Sequence, residues 1–413
     1  MTITLTTDQQ NALNAFQQFL CDPVETVFVL SGYSGTGKTT LIKHLLEELP
    51  SYVKTAKLLL PTMKEYYVEL TATTNKAAEA MSLITGRDVA TIHSFLGLRV
   101  QTDYSTGVTT LIPRSKEKKE GYLLFIDEAS YIDSQLLELI FTMTSKCKIV
   151  FMGDPAQLTP VKSSGTPVFE AKFSGAKLTQ VVRQAEGNPI VDLSTKFRET
   201  VSSGQFFSFK PDGHHIKYLD RPDFYKEIEK EFSRTDWHYS DSKILGWTNK
   251  CVVNYNHAVS DNVTGNPKLK VGDYAIVNKY VTKGKQSLKT DEMVYISHIS
   301  AETSENGVDG HIYTVDRGYT FFMPKSMDEK NTRLKQAKAD NDYIVIEHIE
   351  SSWIDLRAAY ACTINKSQGS TFDRVFIDLD DVKRCNSGDQ IARMLYVGIS
   401  RAKSQVFLTG DVI

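Results

Sequence analysis

This sequence predicts an α/β protein built on two parallel β-sheets, with a smaller β-rich part set between them. Three observations predict it. An apolar, β-branched run at residues 26–30 leads into a glycine-rich loop, and Leu41, Ile42, Leu45 and Leu46 then recur at helical spacing. The same strand-then-helix alternation returns near the far end of the chain, over residues 358–408. Between the two, residues 267–315 carry short strands separated by Gly and Lys turns, which is the pattern of a small barrel.

At 413 residues the chain is too long for one ordinary core, so at least two domains are expected. Hydrophobic residues at 41% and charged residues at 24% belong to a soluble globular protein. The balance of 48 basic and 50 acidic residues gives a net charge of −2 and no global field toward nucleic acid, although a local basic stripe suffices for that. Cys21, Cys147, Cys251, Cys362 and Cys385 form no C-x-x-C pair, which suits reduced thiols in a cytoplasmic compartment. The N-terminus has no signal-peptide pattern, and no apolar run approaches the length that spans a membrane. A soluble cytoplasmic protein with no membrane partner is expected.

In chain order, a helix opens near Thr7 or Asp8 as cap, with Leu13, Phe16 and Leu20 on one face. Gln9 can present its amide to an adenine edge; alone, a glutamine is as readily a surface residue. The stretch from Gly32 to Thr39 reads G-x-x-x-x-G-K-T, the phosphate-binding loop of nucleotide triphosphatases. Gly32, Gly35 and Gly37 let the backbone turn its N–H groups around a phosphate, and the helix after them offers its positive end. Lys38 is placed for the β- and γ-phosphates and the Thr39 hydroxyl for Mg²⁺. Pro50 is expected to stop that helix.

Residues 68–78 read as a second strand and helix, with Thr73, Thr74, Asn75 and Lys76 at the carboxyl end where ligands bind. A capped strand–helix junction explains them equally. His93, beside apolar neighbours, is by itself a structural histidine. Residues 97–119 read as an inserted β-hairpin with Tyr104 in its turn. The apolar strand at 122–126 ends in Asp127 and Glu128, the first suited to hold Mg²⁺ and the second to orient and deprotonate water. A further strand leads into Gly153-Asp154-Pro155-Ala156-Gln157, and Arg183 follows. Gln157 is suited to sense a γ-phosphate, and Arg183 is a candidate charge for the same group. Residues 244–250 are a strand entering a helix, and 267–289 carry six lysines and one acid with Tyr274 and Tyr280 interleaved. That composition suits single-stranded nucleic acid, as it also suits a plain solvated sheet face.

Taken together, these stretches fall in the order of the superfamily 1 helicases, and the chain resembles the Dda-type phage helicases and their RecD-like relatives. Besides the motifs above, the resemblance rests on residues 91–94 with the hairpin after them, on Lys366-Ser367-Gln368-Gly369, and on residues 396–401. It implies two RecA-like domains, 1–96 with 120–182 and 183–265 with 352–413, that hold ATP in the cleft between them. The hairpin at 97–119 would be a strand-separating pin, and 266–351 an SH3-like β-barrel. The catalytic set implied is Lys38, Asp127, Glu128, Gln157, Arg183 and Arg401, the two arginines acting as fingers. ATP would contact Gln9, Gly32, Gly35, Thr36, Gly37, Lys38, Thr39, Thr40 and Gly369, with Mg²⁺ on Thr39 and Asp127. Thr73, Asn75, His93, Tyr104, Thr248, Asn249, Thr363, Asn365 and Ser370 would line the DNA.

The resemblance further implies 5′ to 3′ unwinding by a monomer in phage-type replication or recombination, acting on single-stranded DNA and its junctions with duplex. Single-strand-binding or replication proteins are the partners it suggests. A translocase that strips bound proteins, or a RecD-like subunit of a larger complex, are the alternatives. Asn75 and Asn365 stand where such relatives tend to carry histidine, so base stacking there is expected to be weaker, by about 1–3 kcal/mol per lost stack. Residues 323–352 look too short for the tower that Dda-type proteins add to the barrel.

Overall fold

The computed structural model describes residues 5–102, 109–159, 165–180, 187–263, 265 and 269–411. The chain divides into two compact units, Met1–Ser208 with Ala392–Ser400, and Phe209–Ile391 with Arg401–Ile413. This moves the expected boundary near residue 183. The helix Pro189–Ser203, capped by the Asn188 side chain, belongs to the first unit, as does most of the helix Gly388–Ile399.

The first unit is built on a six-stranded, all-parallel sheet. Its order is Ser174–Leu178, Val27–Gly32, Lys148–Gly153, Tyr122–Asp127, Tyr67–Ala72 and Ala90–Thr91. The central strands are apolar on both faces because both are covered. Leu123, Phe125, Val150 and Met152 meet the helices Thr7–Cys21 and Lys38–Leu59. Leu124, Ile126, Ile149 and Phe151 meet the helix Ser134–Met143 on the other side. Period-two alternation in each strand thus divides one apolar run between two cores.

Two local expectations are corrected here. The first helix is capped by Thr6, whose hydroxyl accepts from the Gln9 N–H while the Gln9 side chain takes the Thr6 N–H. Asp8 instead accepts from the N–H and hydroxyl of Thr179 and the N–H of Gln180, contacts that hold its carboxyl below the usual range. The second helix does not end at Pro50 but runs on to Leu59. Tyr52, Val53 and Ala56 pack beyond the proline, and the Tyr52 hydroxyl donates to the Gln17 carbonyl, so tertiary contacts offset the lost hydrogen bond. Leu98–Thr102 runs antiparallel to Thr109–Pro113, and Tyr104 lies outside the described residues.

Lys148 is 3% exposed, and its ammonium donates to the carbonyls of Phe19, Asp22 and Glu25 at 2.6–2.7 Å while lying over the Phe19 ring. Burial pushes its pKa down, against the charges of Asp22 and Glu25. All three donors meet acceptors where the chain leaves the first helix. Lys148→Met is therefore expected to lower stability by about 3 kcal/mol, read as a shifted urea midpoint with unchanged slope.

The second unit contains a five-stranded parallel sheet in the order Ile216–Tyr218, Ala402–Thr409, Phe372–Asp378, Ser242–Gly246 and Ala361–Thr363. Joined to it is an antiparallel sheet ordered Thr303–Glu305, Val308–Val315, Met293–Ile299, Tyr274–Val277 and Leu356–Ala358, with Tyr319–Pro324 also on Val308–Val315. Ala275, Val277, Val294, Ile296, Val315 and Phe321 fill its core. Residues 325–352, expected within a barrel, form the helices Met327–Ala339 and Tyr343–Ser352 instead. They dock through Ile349 and Trp353 onto Val308 and Phe322. The first of them buries little beyond Lys330 and Ala337, so it carries almost no apolar stripe to betray it.

Candidate active site

The phosphate loop leaves the carboxyl end of Val27–Gly32 and closes on Gly37, which sits in the left-handed region at φ 80° and caps the helix beginning at Lys38. Glycine is required at two points. A side chain on Gly32 would meet the Thr36 hydroxyl at 2.8 Å and Leu178 at 2.9 Å, and one on Gly37 would meet the Gln9 amide at 2.6 Å. The loop is pinned by the Tyr33 carbonyl, which accepts from the Thr36 N–H at 3.2 Å and the Thr36 hydroxyl at 2.8 Å. Lys38 Nζ donates to the carbonyls of Gly32 at 2.6 Å and Tyr33 at 3.1 Å, so its charge lies inside the loop. Thr36 is buried, Thr39 half-buried and Thr40 exposed.

Gln9 is 5% exposed and donates Nε2 to the Thr36 carbonyl at 3.2 Å. Its oxygen serves the helix cap, so both ends of this amide are engaged within the protein.

Asp127 and Glu128 end the neighbouring strand. Burial pushes the Asp127 carboxyl up, while the Glu128 N–H, at 2.8 Å, and the charge of Lys38 pull it down. Glu128 holds a left-handed backbone at φ 54°, unusual for a residue with a side chain. Thr73 supports that conformation. Its N–H donates to the Asp127 carbonyl at 3.1 Å and its hydroxyl to the Glu128 carbonyl at 3.0 Å. The hydroxyl expected on the DNA is thus used to aim the two carboxylates.

Asp154, fully buried, links the next loop to the phosphate loop. One oxygen accepts from the Ala156 N–H at 3.0 Å; the other accepts from the Ser34 N–H at 3.1 Å, the Gln157 amide at 3.3 Å and the Tyr396 hydroxyl at 2.5 Å. Burial, then the Asp154 charge, pushes the Tyr396 phenol well above its ordinary range, so it stays a donor. Arg393 Nη1 donates to the carbonyls of Pro155 at 2.6 Å and Gln157 at 2.7 Å. Of these residues the sequence points to a role only for Gln157; Asp154 stands beside it in the same run with no period or spacing to mark it as the junction.

Among the other expected residues of this unit, His93 lies in the short helix Ile92–Phe95, where burial lowers its pKa against the opposing charge of Asp133. Asn75 is half-buried at the start of Asn75–Thr85, behind a Thr74 cap. Arg183 lies outside the described residues.

In the second unit, Thr248 caps Asn249–Ala258 and Asn249 is exposed. The Asp381 carboxylate accepts from the Trp247 N–H at 2.7 Å, the Thr248 N–H at 2.8 Å and the Thr248 hydroxyl at 2.7 Å. Thr363 caps the helix Ile364–Ser367, Asn365 and Ser370 are half-buried, and Gly369 has φ 78°. Arg401, 5% exposed, donates Nη1 to the Ser370 carbonyl at 3.1 Å. Thus Thr248 and Thr363 are held by their own backbones, while Asn249 is open to a ligand.

Residues 4–218 match the AAA domain family, and residues 358–409 match the UvrD-like helicase C-terminal domain. The chain is 24% identical over 455 aligned positions to the ATP-dependent DNA helicase dda of Enterobacteria phage T4, with 98% of each chain covered. It is 22% identical to the RecBCD enzyme subunit RecD of Buchnera aphidicola, covering 94% of this chain and 71% of that one. The Pif1 helicase from Bacteroides, solved with ADP-AlF3 and single-stranded DNA, shares the fold at TM-score 0.54 and 16% identity, covering 100% of this chain and 94% of that one. The chain belongs to the AAA domain family, and within it is a superfamily 1 helicase of the Dda and RecD type.

Proposed function

We propose that this protein is an ATP-hydrolysing DNA helicase that moves 5′ to 3′ along single-stranded DNA and opens duplex ahead of it. The observation that carries the reading is the phosphate loop with Lys38 inside it, tied through Asp154 to the loop of Gln157. A side chain at Gly32 or Gly37 would strike Thr36, Leu178 or Gln9, so glycine is what allows the loop to close. Among the described residues no cluster of three His, Cys, Asp or Glu is set to hold a metal on its own. The hard oxygens of Thr39 and Asp127 would hold Mg²⁺, which would supply charge neutralisation at the phosphates. Lys38 binds the β- and γ-phosphates, Glu128 orients the attacking water and takes its proton, and Gln157 senses the γ-phosphate. Arg183 and Arg401 act as arginine fingers.

His93 in the first unit, and Asn249 and Asn365 in the second, each contact the single strand, and the antiparallel sheet of the second unit serves as an SH3-like platform for it. Each hydrolysis shifts the grip on the strand. One base-pair step costs on the order of 1.4 kcal/mol, well within one ATP. Replication or recombination of DNA is the setting such an activity serves, with single-strand-binding proteins as the natural company. Strand displacement on tailed duplexes tests the reading. A 5′-tailed duplex is expected to open and a 3′-tailed one to stay closed. Opening of the 3′-tailed substrate alone would reverse the polarity.

A further inference from the structure

The ring of Tyr33, inside the phosphate loop, is covered by cations. The Arg198 guanidinium lies 3.7 Å from its centroid, and Lys177 Nζ lies 5.2 Å from it. Arg198 comes from the helix Pro189–Ser203, which is anchored by buried Leu193, Phe197 and Thr200. Among the described residues no carboxylate pairs with that guanidinium, so the aromatic face is its partner.

Tyr33 is where the loop is most tightly determined. Its carbonyl receives Thr36 and Lys38, and the N–H of the following residue, Ser34, donates to Asp154 and to the Tyr396 hydroxyl at 3.0 Å. A shift of this residue would therefore move both the acceptor of the phosphate-binding lysine and the link to the Gln157 loop. The hydrogen bonds fix the peptide groups on either side, and the side chain ties this turn to the helix Pro189–Ser203. The guanidinium charge also reaches Tyr396, where it opposes the upward push of Asp154. Arg198 thus faces two of the groups that organise this end of the loop.

We infer that Arg198 is a positioning residue for the nucleotide site, holding the phosphate loop in its binding shape through the ring of Tyr33. The inference rests on the ATPase reading above. A planar cation on an aromatic face is worth more as water is excluded, and a contact of this kind corresponds to about a 3- to 30-fold change in an equilibrium constant. Because the loop is shaped before nucleotide arrives, the loss should fall mainly on nucleotide affinity and on KM for ATP, with a smaller effect on kcat.

A double-mutant cycle on the full chain tests this, read by titration with a fluorescent ADP analogue and by KM for ATP. Arg198→Ala is expected to weaken both about 3- to 30-fold. Tyr33→Ala should do the same, and the double variant should be no worse than either single one. In a Tyr33→Phe background the ring remains, so the full Arg198→Ala penalty should persist. Arg198→Met keeps the apolar stem without the charged plane, so it should show the same loss with the fold intact and serves where Arg198→Ala disturbs folding. Additive penalties, native affinity in the Arg198 variants, or an equal fall in kcat alone would overturn the role while ATP hydrolysis by the unaltered chain still stands. Failure of the unaltered chain to bind the analogue would overturn the ATPase reading and this inference together.

Discussion

Lys38→Ala is expected to remove ATP hydrolysis, by at least about 100-fold, because a preorganised charge at the phosphates is lost. The ammonium lies against the carbonyls of Gly32 and Tyr33, at the mouth of the helix that it begins, so nothing else in the loop supplies a cation at that position. The residue is half-buried and outside both cores of its unit, so the fold should survive and circular dichroism should match the native chain. Glu128→Gln separates binding from chemistry at the same site. The amide keeps the size of the side chain but cannot take the proton of water, so nucleotide should still bind while turnover falls about 100- to 10,000-fold. Phosphate release in the presence of single-stranded DNA measures both. Near-native turnover in Glu128→Gln would remove that residue from the base role.

Replacing residues 101–109 by a short glycine-serine turn is expected to leave DNA-stimulated ATP hydrolysis in place while duplex unwinding is largely lost. The hairpin is joined to the first unit at its base, where Leu98 is buried and the Arg114 N–H donates to the Gly97 carbonyl at 2.9 Å. The cut falls above that base and touches neither the phosphate loop nor Arg401. If the hairpin parts the strands, its loss returns the cost of a base-pair step, on the order of 1.4 kcal/mol, to the motor, which is about tenfold in rate for each step. Strand displacement and ATP hydrolysis measured on one preparation separate the outcomes. Unwinding that persists would make this a surface hairpin. ATP hydrolysis that collapses would make it part of the fold.

The parallel sheets were legible because buried strands are written as apolar runs, and the phosphate loop because glycine spacing leaves few alternatives. What escaped had no period to carry it. The helix Lys38–Leu59 passes a proline that local rules read as a stop, because Tyr52 and Val53 find partners that lie elsewhere in the sequence. The helix Met327–Ala339 buries too little to show a stripe. At the site, Lys38, Asp127 and Glu128 were readable from type and position. Thr73 was read as facing DNA, and its hydroxyl is instead spent on the backbone of Glu128. Asp154 and Tyr396 meet across hundreds of residues of chain, a pairing that only the fold can reveal.

The Asp381 contact in the second unit bears on where a phosphate can bind. Each parallel sheet has a strand that turns through a few residues into a helix, with backbone N–H groups pointing at the turn. In the first unit that turn is the glycine loop, whose anion comes and goes. In the second, the N–H groups of Trp247 and Thr248 and the Thr248 hydroxyl are already taken by the protein's own carboxylate. A tethered anion cannot be exchanged or hydrolysed, and its charge repels any phosphate that approaches. That turn is therefore closed to a phosphate for as long as Asp381 holds it.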